Sequence, residues 1–345
     1  MTKSETPLFS VVIPLYNKQD TIRDTLESVR KQTFEEFEVV VIDDGSTDGS
    51  PEIVQDFVVS DARFRVFRQE NAHVSAARNH GVRRSCGHLV AFLDADDFWK
   101  PDHLENLKTL YQSYPEAGMY GTAYTRHYTS GGAVAMVVAQ FEGAHGLIGD
   151  YFKLAQECQF VYTSSIAVPK RVLDGIDGFS ENEKSGGEDL DVWMRVAIHH
   201  KVAYFGQSTV VYNCGVPNQL TQKTSESRRV GVLYLKNLAE AYAANRFVGD
   251  QARSVKRYLD HHCFKLIGFQ FRRTMSLSEI KSFLERSGYD RLEPSPAIRM
   301  VLRLPYARIW SFVFLVRRCL HSRQLIKLFG GAIRRNGMLY TLNIS

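Results

Sequence analysis

The sequence predicts an α/β fold in which a mostly parallel sheet is flanked by helices and followed by a helical C-terminal region. Three observations lead to this prediction. Apolar runs typical of strands alternate with helical periodicity over residues 1–100, two of these runs end in acidic clusters, and helical periodicity prevails from about residue 227. Strands that alternate with helices pair in parallel through right-handed crossovers. We therefore expect two regions, residues 1–225 and residues 226–345.

The first region begins with the apolar run FSVVIPLY at 9–16, which is typical of a strand buried on both faces. Ile22 and Leu26 follow at the spacing of one helix face. Ser50 is expected to cap a second helix, with Pro51 at its first position. Further strands are predicted at 37–42, 64–67 and 88–93, and further helices over 75–84 and from Pro101.

Residues 115–225 show less regular patterns. Short strands are predicted at 163–168, 202–205 and 209–212, and a helix from about Asp189. Beyond residue 227 the helical pattern is predicted to continue to the end of the chain.

The composition is that of a soluble globular protein, with 345 residues, 44% of them hydrophobic and 23% charged. The five cysteines are widely spaced without a CxxC pair, which argues against a zinc cluster or a disulfide framework and favours a reducing compartment. No run reaches the ~18 apolar residues of a membrane-spanning helix, and the first residues lack the apolar segment of a signal peptide. These features predict a cytoplasmic protein.

The net charge of +5 is unevenly distributed. Residues 291–335 carry ten lysines and arginines and one acid, so the remainder is slightly acidic. Residues 297–320 combine arginines with large apolar side chains, which suits a basic helix lying in a membrane interface. The sequence thus predicts peripheral membrane contact through 297–335, with packing of the apolar face on the first region as the alternative. A nucleic acid partner is not expected, because no recognised binding motif accompanies the charge.

The acidic cluster Asp94, Asp96 and Asp97 directly follows the apolar run HLVAFL. Carboxylates this close repel one another unless a cation or hydrogen bonds neutralise them. Hard oxygen ligands suit magnesium or manganese, usually shared with substrate phosphates. The alternative interpretation is a solvated turn.

Two further positions have a structural and a functional interpretation. Asp43 and Asp44 end a predicted strand and could accept hydrogen bonds from a base or a ribose, although Asp-Gly-Ser is also a good turn sequence. Arg78 could hold phosphate in a bidentate fork or form a surface ion pair.

Glu188 and Asp189 stand where a helix is predicted to begin. The helix dipole favours acids there for structural reasons and is expected to keep their pKa low. The functional alternative is a carboxylate base that accepts a proton from a sugar hydroxyl, which requires the ionised form.

Five sequence blocks resemble the inverting glycosyltransferases of family 2, which have the GT-A, Rossmann-like fold. They occur in the expected order over residues 8–200: SVVIPLYNKQDTIRDTLESVRKQT, VVVIDDGSTDGS, NAHVSAARNHG, LVAFLDADDFWKPDHL and GGEDLDVWMRV. Each block is weak alone, and together they are specific.

The resemblance implies a role for each matching residue. Asp189 would be the catalytic base and Glu188 its neighbour beside the acceptor. Asp96 and Asp94 would bind the metal, with Asp96 in direct contact. Trp193 and Arg195 would support the helix that carries the base. The residues implied in binding the donor nucleotide are Pro14, Tyr16, Asn17, Asp43, Asp44, Arg78 and Asp94.

The implied activity is transfer of a sugar from a nucleotide-diphosphate donor to a glycan or lipid-linked acceptor hydroxyl, with Mn²⁺ or Mg²⁺ as cofactor. Bacterial surface polysaccharide synthesis is a common setting for this family, which places the protein in the cytoplasm or at the inner face of the cell membrane. Alternatives are a non-catalytic nucleotide-sugar-binding protein on the same fold and a sugar nucleotidyltransferase. The latter needs a glycine-rich basic loop, and IPLYNKQD is not one. No GxGxxG follows the first strand, which argues against a dinucleotide oxidoreductase.

The chain departs from the family pattern in two places. His73 stands where members often have glycine. Residues 212–221 contain no histidine, although members often have one there that reaches the metal. We interpret Cys214, in the same segment, as a structural cysteine rather than a replacement ligand.

Overall fold

A computed structural model describes residues 6–182, 187–216, 233–271, 277–293, 299, 333–335, 338–340 and 342–343. Almost all of the basic segment 297–335 therefore lies outside the described residues. Within the described part of the chain, no helix has the length and apolar composition that crossing a bilayer requires.

The N-terminal part of the fold alternates strands and helices as predicted. Its strands pair in parallel in the order β4-β1-β2-β3, and β1, β2 and β4 are almost wholly buried because their side chains are apolar on both faces. The elements are β1 (Phe9–Leu15), α1 (Ile22–Arg30), β2 (Phe37–Asp43), α2 (Ser50–Ser60), β3 (Phe64–Arg68), α3 (His73–Arg84) and β4 (Leu89–Phe92).

The middle of the chain extends this sheet with strands of both directions. β9 lies antiparallel between β4 and β6, while β6 and β10 form a long parallel pair. The elements are β5 (Phe98–Trp99), α4 (His103–Ser113), β6 (Ala117–Tyr128), β7 (Ala133–Val138), β8 (His145–Leu147), α5 (Tyr151–Glu157), β9 (Ile166–Pro169), α6 (Lys170–Gly175), α7 (Glu188–His199) and β10 (Lys201–Cys214). The predicted α/β class, a central sheet flanked by helices, is confirmed.

The C-terminal region contains α8 (Leu233–Ala243), α9 (Gly249–Phe271) and α10 (Leu277–Arg286). Tyr258 on α9 packs its ring edge-on against Phe152 of α5, and the same apolar core includes Leu235 and Leu259. The prediction of helix up to the chain end is wrong for three short strands, β11 (Ile333–Arg335), β12 (Met338–Tyr340) and β13 (Leu342–Asn343). β12 and β13 pair with β7, whose edge supplies the backbone partners.

Three local predictions differ from the structure. In the strand predicted at 163–168, Thr163–Ser165 form a 3-10 turn and β9 begins at Ile166. The strands predicted at 202–205 and 209–212 are one strand, β10, with register shifts around Ser208. Gly206 allows this irregularity, because any Cβ there would collide with the carbonyl oxygen of Phe141. Ser50 is the first residue of α2 rather than its cap. Its hydroxyl accepts a hydrogen bond from the Lys18 N–H at 2.8 Å instead of capping the helix.

Helix α3 approaches β1 closely at Gly81, where an added Cβ would collide with the Val12 side chain. We expect Gly81→Ala to lower the free energy of unfolding by about 1–2 kcal/mol, because overpacking outweighs the gain in helix propensity. Chemical denaturation measures this loss. Gly175→Ala is the matched control, because an added Cβ at that position in α6 meets nothing within 4 Å. Equal stability of the two variants would contradict the close packing of α3 on β1.

Candidate active site

The predicted site residues gather at one edge of the sheet, beyond the C-terminal ends of β1, β2 and β4. Ligands of open α/β sheets bind at this edge. Tyr16 is 45% exposed just after β1, whereas Pro14 lies half-buried inside that strand, opposite Ile42. The first turn of α7 completes the group through Glu188 and Asp189.

The loops after β1 and β2 are tied together by Asn17. Its backbone N–H donates to Ser46 Oγ at 3.1 Å, and its Oδ1 accepts from the Thr47 N–H at 2.8 Å. Asn17 has a φ of 51°, a left-handed conformation that asparagine tolerates better than most residues. These bonds hold the proposed nucleotide loop in one conformation.

Asp43 and Asp44 are both buried but make different contacts. Asp43 Oδ1 accepts from the Ser46 N–H at 2.8 Å, which closes the turn that Asp-Gly-Ser predicts. Asp44 Oδ1 accepts from Gln69 Nε2 and from the Ala72 N–H, each at 2.8 Å. Asp44 therefore connects the end of β2 to the start of α3, on the side where the nucleoside is expected.

Arg78 joins the two acidic groups of the site. Its Nη2 donates to Asp94 Oδ1 at 2.9 Å and its Nη1 to Glu188 Oε1 at 3.0 Å. The residue is only 4% exposed, and its guanidinium lies 5.4 Å from the ring centre of Phe179. Burial alone lowers the pKa of Arg78, but the carboxylates of Asp94, Glu188 and Asp189 raise it above its usual value. Arg78 is therefore a permanent cation at the centre of the site.

The three acids after β4 have different partners. Asp94 Oδ2 accepts from the Tyr162 hydroxyl at 3.3 Å, and Asp96 Oδ2 forms an ion pair of 2.7 Å with Lys18 Nζ. Burial and the Asp94 charge raise the pKa of Asp96, while Lys18 opposes the shift. Asp97 is fully buried, and its pKa is raised well above the usual range by burial and by the other two acids.

Asp97 is engaged on both oxygens, so it is a structural acid. Its Oδ2 accepts from Ser164 Oγ at 2.6 Å and its Oδ1 from the Asn213 N–H at 3.2 Å. Ser164 Oγ also accepts from the Asp94 N–H at 3.1 Å. These contacts fix the turn that presents Asp94 and Asp96.

Asp94 and Asp96 are the residues that could hold a divalent cation. Magnesium sites often use one or two carboxylates together with substrate phosphates, and this oxygen donor set is of that kind. Each carboxylate is paired with a side-chain cation, Asp94 with Arg78 and Asp96 with Lys18. In the described residues no three metal-ligating side chains come together. The residues fit a cation whose remaining ligands come from a bound diphosphate.

Asp189 lies in the first turn of α7, after Gly187 in a left-handed conformation with φ 87°. Its Oδ2 accepts from Thr163 Oγ1 at 3.0 Å and its Oδ1 from the Leu190 N–H at 2.8 Å. Burial and the neighbouring Glu188 charge raise the pKa of Asp189 to about 6, although Arg78 opposes them. The sequence-based expectation of a low pKa is therefore wrong, because these two effects outweigh the helix dipole.

Trp193 and Arg195 support α7 rather than reach the site. Trp193 is 1% exposed and packs in one cluster with the rings of Phe92 and Phe179. Arg195 donates from Nε to Asp191 Oδ2 at 2.8 Å, and its guanidinium also donates to backbone carbonyls of the loop after α6. Both side chains fix the position of the helix that carries Asp189.

The two departures from the family pattern have visible consequences. His73 is the first residue of α3 and has a φ of 72°, a left-handed conformation that glycine adopts without strain. Asn213 occupies the end of β10, where it donates to Asp97 Oδ1 and, through Nδ2, to the Asp96 carbonyl at 2.8 Å. Burial raises the pKa of the Cys214 thiol, which agrees with a structural cysteine. Residues 217–221 lie outside the described part of the chain.

Sequence reasoning missed Lys18, Tyr162, Thr163, Ser164 and Asn213. Lys18 could have been suspected because it directly follows Asn17 in the first block. The others stand in segments without an acidic motif, and only the tertiary fold brings them to the acids.

Solved structures share the fold. The S. aureus TarS 1-349 complex with UDP-GlcNAc superimposes with a TM-score of 0.66 at 18% identity, covering 98% of this chain and 96% of that one. A mannosyltransferase, PcManGT from Pyrobaculum calidifontis, in complex with GDP-Man and Mn²⁺, gives a TM-score of 0.50 at 16% identity, covering 94% and 89%. The fold is thus of the GT-A type.

Two curated relatives come from Bacillus subtilis (strain 168). The putative glycosyltransferase EpsH of Bacillus subtilis (strain 168) is 41% identical over 103 residues, 30% of each chain. The putative teichuronic acid biosynthesis glycosyltransferase TuaG of the same strain is 45% identical over 100 residues, 29% of this chain and 40% of that one. The matches thus span less than half of these relatives.

Family models described as Glycosyl transferase family 2 and Glycosyl transferase family group 2 match residues 10–161 and 89–287, the second being more than half of the chain. The chain belongs to glycosyltransferase family 2.

Proposed function

We propose that the protein is an inverting glycosyltransferase that moves a sugar from a nucleotide-diphosphate donor to the hydroxyl of a glycan or lipid-linked acceptor. The two ion pairs of Arg78 are the main support for this proposal. They connect an acid after β4 with an acid in the first turn of α7. The first group can then serve the donor diphosphate while the second serves the acceptor hydroxyl.

The names of the relatives support the substrate class and the setting. TarS has been solved with UDP-GlcNAc, and TuaG is named for teichuronic acid biosynthesis. We therefore propose bacterial surface polysaccharide synthesis as the process in which this chain acts.

The reaction is a single displacement in which Asp189 is the base. An acceptor hydroxyl gives its proton to the Asp189 carboxylate, and its oxygen bonds to the anomeric carbon of the donor. The bond from that carbon to the diphosphate oxygen breaks on the opposite face, so the configuration inverts. Thr163 and the Leu190 N–H hold the carboxylate in place. A pKa of about 6 suits this role, because the group is ionised at neutral pH and still a usable base.

The leaving diphosphate is the second charge that the site must stabilise. We propose that Asp96 and Asp94 hold Mn²⁺ or Mg²⁺ there. When bound, the cation would neutralise the charge that develops on the diphosphate. Asp44 and the loop at Asn17 would bind the nucleoside, with Tyr16 exposed beside it.

The donor site predicts metal-dependent nucleotide binding. We expect one of UDP, GDP and dTDP to bind the wild-type protein in calorimetric titrations with Mn²⁺. We expect the affinity to fall at least tenfold without Mn²⁺ and in Asp96→Ala, because the diphosphate then meets uncompensated acids. Asp174→Asn, an exposed acid of α6, is the control.

Failure of all three nucleotides to bind folded protein would contradict the donor site. Metal-dependent binding without donor turnover would favour the non-catalytic alternative, and synthesis of a nucleotide sugar from a sugar phosphate would favour the nucleotidyltransferase.

The pKa of Asp189 predicts the pH dependence of the reaction. Because the base must be ionised, kcat/KM for hydrolysis of the donor by water should rise as the pH rises through about 6 and level off above it. Asp189→Asn should lower kcat by roughly 10²–10⁴-fold and remove this rise, while nucleotide affinity is kept. A pH profile unchanged in Asp189→Asn would assign the base to another residue.

For location, we propose the inner face of the cell membrane, with residues 297–335 as the contact. Ten basic residues within 291–335 support this proposal. The full chain should sediment with vesicles containing phosphatidylglycerol but not with zwitterionic vesicles. Replacing Arg317 and Arg318 by Gln should weaken this binding roughly tenfold or more, at ~1 kcal/mol for each arginine, whereas Arg23→Gln should not. Absence of binding to anionic vesicles would contradict the membrane contact.

A further inference from the structure

Arg126 is a cation beside the candidate active site that the reaction described above does not use. It lies on β6 near the C-terminal end of that strand, directly opposite Tyr212 on the parallel strand β10. The next residue of β10, Asn213, contacts Asp96 and Asp97. Arg126 therefore lies opposite the residue that precedes a contact of the acidic cluster.

The cations at this edge differ in their partners. Lys18 and Arg78 are both neutralised by carboxylates. Arg126 has no carboxylate within ion-pair distance among the residues that the structure describes. Its Nη2 donates to neutral oxygens, the Tyr124 hydroxyl and Gln159 Oε1, each at a long 3.3 Å, and the neutral Tyr128 phenol is a further partner of the guanidinium. Its Nε is buried without a hydrogen-bond partner. A half-buried guanidinium with weak neutral partners has capacity for an anion.

Aromatic rings connect Arg126 with the reacting groups. The guanidinium lies 5.8 Å from the ring centre of Tyr124, which lies 5.5 Å from that of Tyr162. Tyr162 stacks on Tyr212 at 4.4 Å and donates its hydroxyl to Asp94. The residue after Tyr162 is Thr163, the hydrogen-bond donor to Asp189. A chain of ring contacts therefore connects Arg126 with Asp94, and Tyr162 in that chain directly precedes the residue that binds Asp189.

This arrangement separates Arg126 from the proposed diphosphate position. The metal-binding candidate Asp96 pairs with Lys18 on the β1 side of the edge, whereas Arg126 lies on the β6 side, beyond the Tyr162 ring. An acceptor sugar, whose hydroxyl must reach Asp189, is the substrate that would pass these rings. Sugar-binding clefts commonly combine apolar or aromatic walls with a few polar anchors.

We propose that Arg126, together with Tyr162 and Tyr212, forms an acceptor subsite that binds an oxyanion carried by the acceptor sugar, with the buried Tyr124 packed behind it. The proposal rests on the glycosyltransferase function proposed above. The ligand chemistry is a phosphate or a carboxylate on a sugar ring, since the fork of an arginine matches both groups. Arg126 would thus select anionic acceptors and hold them in register with Asp189.

Three sugars that differ only at C6 test this proposal: glucose 6-phosphate, glucuronate and glucose. Each is titrated into the full-length protein saturated with the nucleotide that binds, and affinity is measured by ligand-observed NMR. We expect at least one anion to bind about tenfold more tightly than glucose, and Arg126→Gln to abolish that preference. Arg126→Lys should retain part of it, because the charge remains while the fork is lost. Arg23→Gln, at an exposed ion pair between α1 and α2, is the matched control for charge.

The outcomes separate this proposal from the proposed function. Preference for glucose 6-phosphate identifies a phosphate-bearing acceptor and preference for glucuronate a carboxylate-bearing one, and both support the subsite. Equal binding or no binding of the three sugars overturns it. A loss of nucleotide affinity in Arg126→Gln also overturns it, because Arg126 would then belong to the donor site. Where wild-type protein binds no nucleotide, the titrations are run without one. Anion preference that depends on Arg126 then supports the oxyanion site while the glycosyltransferase function fails.

Discussion

The buried guanidinium of Arg78 is the interaction on which the rest of the site depends. Moving a cation and two carboxylates out of water is costly, and their mutual attraction compensates only when the geometry is good and the remaining polar atoms are hydrogen-bonded. Arg78 meets Asp94 and Glu188 at 2.9 and 3.0 Å, and Asp94 is further bound by Tyr162. Because α3, the loop after β4 and α7 each contribute one member, the relative positions of the three segments are fixed together.

The same arrangement places two adjacent acids, Glu188 and Asp189, in different environments. Glu188 pairs with Arg78, whereas the donors to Asp189 within the described part of the chain are neutral, Thr163 and the Leu190 N–H. The negative charge of Glu188 and burial then raise the pKa of Asp189 to about 6. Environment thus gives one carboxylate a cation as its partner and makes its neighbour a base close to neutrality.

The sequence predicts the carboxylates of the site but not their partners. Each acidic cluster follows an apolar strand directly, and parallel strands end at the same sheet edge, so local pattern and topology suffice for Asp44 and Asp94. The ion pair of Lys18 with Asp96 joins residues 78 positions apart, and Tyr162 reaches Asp94 over 68 positions. Such contacts depend on tertiary packing, which periodicity does not encode. The capping prediction for Ser50 failed for the same reason, because a distant backbone N–H uses its hydroxyl.

The balance of charge at the sheet edge gives a physical reason for a divalent cation. Asp94, Asp96, Asp97, Glu188 and Asp189 face only Lys18 and Arg78 as directly paired cations among the described residues. Burial, together with this excess of acid, raises the pKa values of Asp96, Asp97 and Asp189. A donor diphosphate adds further negative charge to a poorly solvated place, where repulsion is weakly screened. A divalent cation that entered with the diphosphate would offset both, so the proposed metal binding at Asp94 and Asp96 would be coupled to donor binding.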